Sequence, residues 1–241
     1  MVEGEAIGRR RPAAAQLPLD LKIPRADKSG PPCRAASNAA ALDVIAAWPR
    51  WPHRWLRLVG PPGAGKSRLA RHFAHIADAP LIAAAELAEF DPITLGAEPA
   101  MVLEDIDRGG FDETTLFHVL NAAAAAGSAI LFTGRDHAVS ARLATADVAS
   151  RLRSAPVVTI APPDDDLLRQ VLAVEFAERQ LVVDPSVVDY LLVRMERSLT
   201  DAIRLVDQLD RHGLARQRRI TRPLATEILS AQPAAADTDE P

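Results

Sequence analysis

Residues 60–67 read GPPGAGKS. The stretch satisfies the pattern G-x-x-x-x-G-K-[ST], and each specified place has chemical content. Glycines let successive backbone N–H groups turn inward around phosphate oxygens, Lys66 brings positive charge to the terminal phosphates, and Ser67 offers a hydroxyl to a magnesium ion. The flanks supply the context that such a loop requires. Trp55 to Val59, WLRLV, reads as a strand, and Lys66 to Ile76 reads as a helix with Leu69, Ala70, Phe73 and Ala74 on one face. Gly60, Pro61, Pro62, Gly63, Ala64, Gly65, Lys66 and Ser67 are therefore the candidate phosphate-binding residues.

Downstream, residues 101–107 read MVLEDID, an apolar run ending in acids, where a fold built on such a loop needs a carboxylate near Ser67 and the metal. Two alignments are open. Either Glu104 holds magnesium and Asp105 activates water, or Asp105 holds the metal and Ile106 leaves the water-activating place apolar. Capping of a helix starting near Phe111 is the competing role for these acids, and Asp107 reads as a surface or capping residue. Further strands are expected at 80–83, 101–104, 129–133 and 157–160, with a helix at 112–126 between two of them. Strands alternating with helices predict an α/β domain with a five-stranded parallel sheet.

After Ile160 the pattern becomes wholly helical. Asp164 to Asp166 start a helix running to about Gln180, Asp184-Pro185 caps another over 187–195, and Ser198-Leu199-Thr200-Asp201 opens a third through Leu209. The expected organisation is an arm at 1–37, the α/β domain at 38–161, a small all-helical lid domain at 162–230 and a tail at 231–241. The arm and tail are rich in Pro, Ala and charge without periodicity.

With 241 residues, 48% of them apolar, the chain can bury a substantial core. A formal charge of −4 argues against a general nucleic-acid binder. Arg211, Arg216, Arg218 and Arg219 form a local basic cluster that reads first as a solvated face. Trp48, Trp51 and Trp55 offer aromatic stacking surfaces, and their place at the domain edge favours core packing. The single Cys33 supports neither a disulfide framework nor a thiolate metal site, as expected of a cytoplasmic protein. No apolar stretch reaches the roughly 20 residues of a membrane span. Arg9 to Arg11 are followed by Pro12, Pro18, Asp20 and Lys22, which is not an export signal.

Loop, acidic strand end and helical lid together resemble the AAA+ ATPases, and within them the DnaA-like proteins, most closely the Hda-type regulatory inactivators of DnaA. The resemblance spans about residues 16–229 through QLPLDL, SNAAALDVIAAWP, GPPGAGKSRLAR, LEDID, ASRL and RLVDQLD. It implies a P-loop AAA+ domain binding ADP or ATP with Mg. QLPLDL, residues 16–21, is similar to the hexamer by which polymerase-associated proteins dock on the DNA sliding clamp, with Gln16, Leu17, Leu19 and Leu21 as contacts. An extended segment can place Leu19 and Leu21 in apolar pockets while Pro18 lessens the ordering cost. Arg151, in Ser150-Arg151-Leu152, falls where the family carries an arginine finger acting in trans, and Arg153 is its neighbouring alternative.

Two positions depart from the family pattern. Gly134 and Arg135 follow Thr133 where a polar sensor side chain is expected, and Thr200 stands where a lid arginine usually meets nucleotide, so Arg197 and Arg204 are the candidates for that contact. The implied partners are the sliding clamp, DnaA and, through the clamp, DNA, with self-association into a homo-oligomer open. The chain ends soon after the lid, where DnaA initiators carry an origin-reading domain, so an adaptor that promotes hydrolysis of DnaA-bound ATP is expected. An autonomous ATPase loading a helicase or remodelling nucleic acid is the alternative, and a scaffold that does not promote hydrolysis is a third.

Overall fold

The computed structural model describes residues 31–135, 143–216 and 219–231. The clamp-like hexamer at 16–21, the tail beyond 231 and Arg218 lie outside the described residues. The elements are α1 (Ala39–Ala46), β1 (Trp55–Val59), α2 (Lys66–Ala77), β2 (Leu81–Ala83), a 3-10 turn (Ala84–Glu89), α3 (Pro92–Gly96), β3 (Ala100–Glu104), α4 (Glu113–Ala126), β4 (Ala129–Gly134), α5 (Ala146–Ser154) and β5 (Val157–Thr159). Four helices follow: α6 (Asp165–Glu178), α7 (Pro185–Arg194), α8 (Leu199–Arg216) and α9 (Arg222–Ala231).

The five strands form one sheet in the order β2-β3-β4-β1-β5, with every pairing parallel. A parallel sheet with helices on both faces demands strands that are apolar on both sides, which is why β3 and β4 read as unbroken apolar runs. The period of two then sorts the side chains. Met101, Leu103, Ile130 and Phe132 face α4 and α5 through Leu116, Val119, Leu120 and Leu152. Val102, Leu131 and Leu58 face the opposite layer, where Ile45 of α1 and Leu69 and Phe73 of α2 close the second core. Trp48 meets Phe73 edge-on with centroids 5.5 Å apart, and Trp51 stacks on it at 4.8 Å while its indole N–H donates to the Val44 carbonyl. These tryptophans are partly buried and pack against the core.

The last four helices enclose a third core around Leu168, Leu172, Leu191, Val206 and Leu209. The expected caps form: Asp164 accepts the Leu167 N–H at 2.8 Å and Asp184 accepts that of Ser186 at 2.8 Å. Asp112 caps α4 by accepting from Thr114 and Thr115, so Glu104 and Asp105 are not its caps. Helix α6 stops at Glu178, with Gln180 turned to positive φ, and α8 runs on to Arg216 rather than ending near Leu209. Residues 33–37, which composition groups with the arm, are pinned to the lid. The Ser37 N–H donates to Asp164 at 2.9 Å, Gln170 donates to the Arg34 carbonyl at 3.0 Å, and Cys33 and Ala35 pack against the lid core. Arg211 and Arg219 are exposed. Among the described residues no helix is long and apolar enough to cross a membrane.

Candidate functional site

The candidate phosphate-binding loop leaves the carboxyl end of β1, the strand held between β4 and β5. Its first residue is tied across to β4 by a Gly60 N–H donated to the Gly134 carbonyl. In open α/β sheets ligand crevices form at this end of the strands. Gly63 and Gly65 take φ of 71° and 94°, a backbone that L side chains rarely adopt, and Gly65 turns the chain directly into α2. Lys66 is buried, and its ammonium donates to the Gly60 and Pro61 carbonyls at 2.7 and 2.9 Å. Burial holds the Lys66 pKa below the ordinary lysine value, and the charge of Asp105 opposes that shift.

Above the loop lies a cleft of about 1160 Å³ between α2, the ends of β3 and β4, and the start of α8. Among the described residues, the cations Lys66, Arg68, Arg71, Arg108, Arg135 and Arg197 line it against the acids Asp105, Glu175, Glu196 and Asp201. Backbone N–H groups at a helix start, a buried lysine and arginines along the wall suit a di- or triphosphate.

At the acidic end the two candidate carboxylates part company. Asp105 lines the cleft, whereas Glu104 lies outside its lining, with Oε1 buried and no hydrogen-bond partner among the described residues. Asp105 adopts φ of 58° and forms an ion pair with Arg108 at 3.1 Å. Its N–H donates to the Thr133 hydroxyl at 3.1 Å, and the next N–H, of Ile106, donates to the Thr133 carbonyl. Thr133 is thus buried and used to fix the acidic turn. Asp107, expected at the surface or as a cap, instead accepts the Arg135 N–H at 2.6 Å and fastens the end of β4 to this turn. A magnesium ion with a nucleotide needs only one or two protein oxygens beside phosphate and water. Ser67 and Asp105, both on the cleft wall, fit that need, with Glu104, whose buried Oε1 has no hydrogen-bond partner among the described residues, directly before Asp105 in the chain.

The lid closes the other side. Ser198 caps α8, its hydroxyl accepting the Asp201 N–H at 3.2 Å, and the Leu199 N–H donates to the Gly63 carbonyl at 2.8 Å. Arg197 lines the cleft and is paired with Asp165 at 2.8 Å. Arg204 does not line it; its guanidinium is taken by Asp201. Thr200 is on the cleft wall.

Arg151 lies on α5, outside the lining of this chain's own cleft, with 27% of its side chain exposed. It is held by Asp147 at 2.8 Å and by Asn121 of α4 at 2.7 Å. Arg153 is exposed. Helix α5 has no side-chain cap of its own. The carboxylate of Glu113 on α4 serves instead, accepting the Thr145 and Ala144 N–H groups at 2.8 and 3.1 Å, bonds that hold its pKa below the usual glutamate range. Sequence reading missed Arg68, Asp107 and Glu113, because their partners are 28 or more residues distant.

Residues 164–229 match the family model described as Hda, lid domain. The fold is similar to domain III of the Thermotoga maritima replication initiation protein DnaA, with a TM-score of 0.68 at 16% identity over 82% of this chain and 92% of that one. AMPPCP-bound DnaA from Aquifex aeolicus matches with a TM-score of 0.62 at 18% identity over 77% of this chain, which spans 66% of that longer protein. The Thermotoga maritima RuvB Holliday junction branch migration motor matches with a TM-score of 0.60 at 17% identity, over 79% of this chain and 66% of that one.

Proposed function

We propose that this chain, whose fold is similar to domain III of DnaA and whose residues 164–229 match the Hda lid-domain model, is a regulatory adaptor of replication initiation. It binds ADP or ATP with magnesium in its own cleft, docks on the sliding clamp through Gln16, Leu17, Leu19 and Leu21, and presents Arg151 to ATP bound on DnaA. The observation that carries this reading is the divided placement of the catalytic candidates. Arg151 stands on α5 away from its own cleft and partly exposed, where a second subunit can meet it. Within the cleft only Asp105 of the two acids is on the wall, in a turn fixed by Thr133 and paired with Arg108. Such a site suits nucleotide held as a conformational ligand, because a displacement of about 1 Å at a catalytic group is already costly for turnover.

In this reading the chain's own residues divide the work. The loop N–H groups and Lys66 hold phosphate, Ser198 and Leu199 seat the lid on the loop, and Glu113 and Asn121 fix the helix that offers Arg151. A guanidinium delivered across an interface neutralises charge developing on a transferring phosphoryl group. Tethering to the clamp raises the local concentration of the second contact toward about millimolar, so neither contact need be tight alone. Calorimetry tests the tether: replacing Leu19 and Leu21 together by Ala abolishes clamp binding, and an unchanged affinity discards this role for residues 16–21.

A further inference from the structure

Arg68 follows Lys66 and Ser67 in the first turn of α2, and neither the loop motif nor the adaptor reading gives it work. Its side chain is 19% exposed, and it lines both the phosphate cleft and a small cavity of about 10 Å³ between residues 32–38, the loop and the lid. A guanidinium carries five N–H donors. Here Nε is buried with no acceptor among the described residues, and Nη1 lies 4.0 Å from Glu175 Oε1, beyond hydrogen-bond reach. A buried donor left without an acceptor is costly, and among the described residues none accepts from this Nε.

What faces it on the lid side is a built charge chain. Glu175 of α6 is fully buried, and its Oε2 accepts from Arg179 at 2.7 Å. Arg179 in turn is paired with Asp207 of α8. Arg68 therefore stands where the helix opened by the phosphate loop faces the carboxylate that holds Arg179, the side chain joining α6 to α8.

We propose that Arg68 is a nucleotide-contacting residue that reports occupancy to the lid: its guanidinium donates to phosphate or ribose oxygens of a nucleoside di- or triphosphate and, so drawn into line, engages Glu175. Through Arg179 and Asp207 this engagement fixes α6 and α8 over the cleft. The inference rests on the reading that the cleft binds nucleotide, and the experiment separates the two. Fluorescent ADP is titrated into the full chain with magnesium, and amide hydrogen exchange is followed over residues 165–178 and 199–216 with and without ADP. Arg68→Ala weakens ADP binding about tenfold or more, the worth of a charged hydrogen bond, and removes the ADP-dependent protection of the lid. Arg68→Lys, which keeps charge and bulk but not the fork, recovers only part of the affinity and serves should the alanine variant not fold. Glu175→Gln, with folding checked by its melting curve, loses the ADP-dependent protection of α8, since it breaks the relay between Arg68 and Arg179. Wild-type affinity and protection in Arg68→Ala overturn the proposal, as does full α8 protection in Glu175→Gln. If the unsubstituted chain does not bind ADP, or binds it equally well after Lys66→Ala, the nucleotide reading itself fails.

Discussion

Replacing Gly63 by Ala strikes the seam between the phosphate loop and the lid. Gly63 sits at φ of 71°, and a Cβ there would lie 2.7 Å from Ser198 Cβ and 3.1 Å from its Cα, so backbone must move. The left-handed conformation alone costs an L residue about 1–2 kcal/mol. Displacing Ser198 also breaks the hydrogen bond from the Leu199 N–H to the Gly63 carbonyl, worth about 0.5–1.5 kcal/mol net. The lower entropy of an unfolded chain with Ala returns about 0.4–1 kcal/mol. The net loss is about 2 kcal/mol, a fall of about 4–8 °C in Tm for a chain of this size. Differential scanning calorimetry measures the fall, and hydrogen exchange locates it at the first turn of α8. A melting curve within about 1 °C of wild type, with α8 equally protected, would refute the reasoning, because the expected loss is several times that.

Glu113→Gln removes the charge at the start of α5 and lowers stability at neutral pH by about 1 kcal/mol, the worth of a helix cap. Because the folded-state carboxyl lies below its ordinary value of 4.5, its contribution is present above that pH and is lost as pH falls through the folded value. The gap in Tm between wild type and Glu113→Gln therefore closes in acid, and a gap that stays constant down to about pH 3 contradicts the assignment. Phe73→Ala opens a cavity in the α1–α2 layer and costs about 3–5 kcal/mol in urea unfolding. Because Trp51 stacks on Phe73, indole emission shifts to the red in the same variant, and unchanged emission argues against that stacking.

The fold was legible where local chemistry and burial agree. GPPGAGKS announces its own conformation, since positive φ at Gly63 and Gly65 and a cationic Lys66 are properties of the residues themselves. The strands read clearly because a doubly covered parallel sheet requires apolar runs such as AILFTG, all six residues of which are buried. Helix α5 escapes pattern reading because nine residues, two of them arginines and two serines, carry too short an apolar face. Helix α8 outruns its expected end because Gly213 lies buried within it rather than ending it. In the site, the phosphate loop was visible in full, and the ambiguity of Glu104 and Asp105 was visible as an ambiguity. Which carboxylate reaches the cleft depends on a positive φ at Asp105 and on Thr133, 28 residues away. The pairs Gly63–Ser198, Arg68–Glu175 and Glu113–Thr145 depend likewise on the packing of distant segments, to which hydrophobic periodicity is blind.

We propose that the decisive hydrolysis takes place on a partner, with Arg151 supplied by this chain. Phosphate release from labelled ATP already bound to DnaA, followed with DNA-loaded clamp and either wild-type chain or Arg151→Ala, tests it most directly. Arginine fingers are worth about 10³ to 10⁵ in rate where measured in GTPases, so the account predicts strong acceleration by wild type and a return to the rate of DnaA alone with Arg151→Ala. Stimulation by Arg151→Ala equal to that by wild type, with clamp binding intact in both, would contradict it.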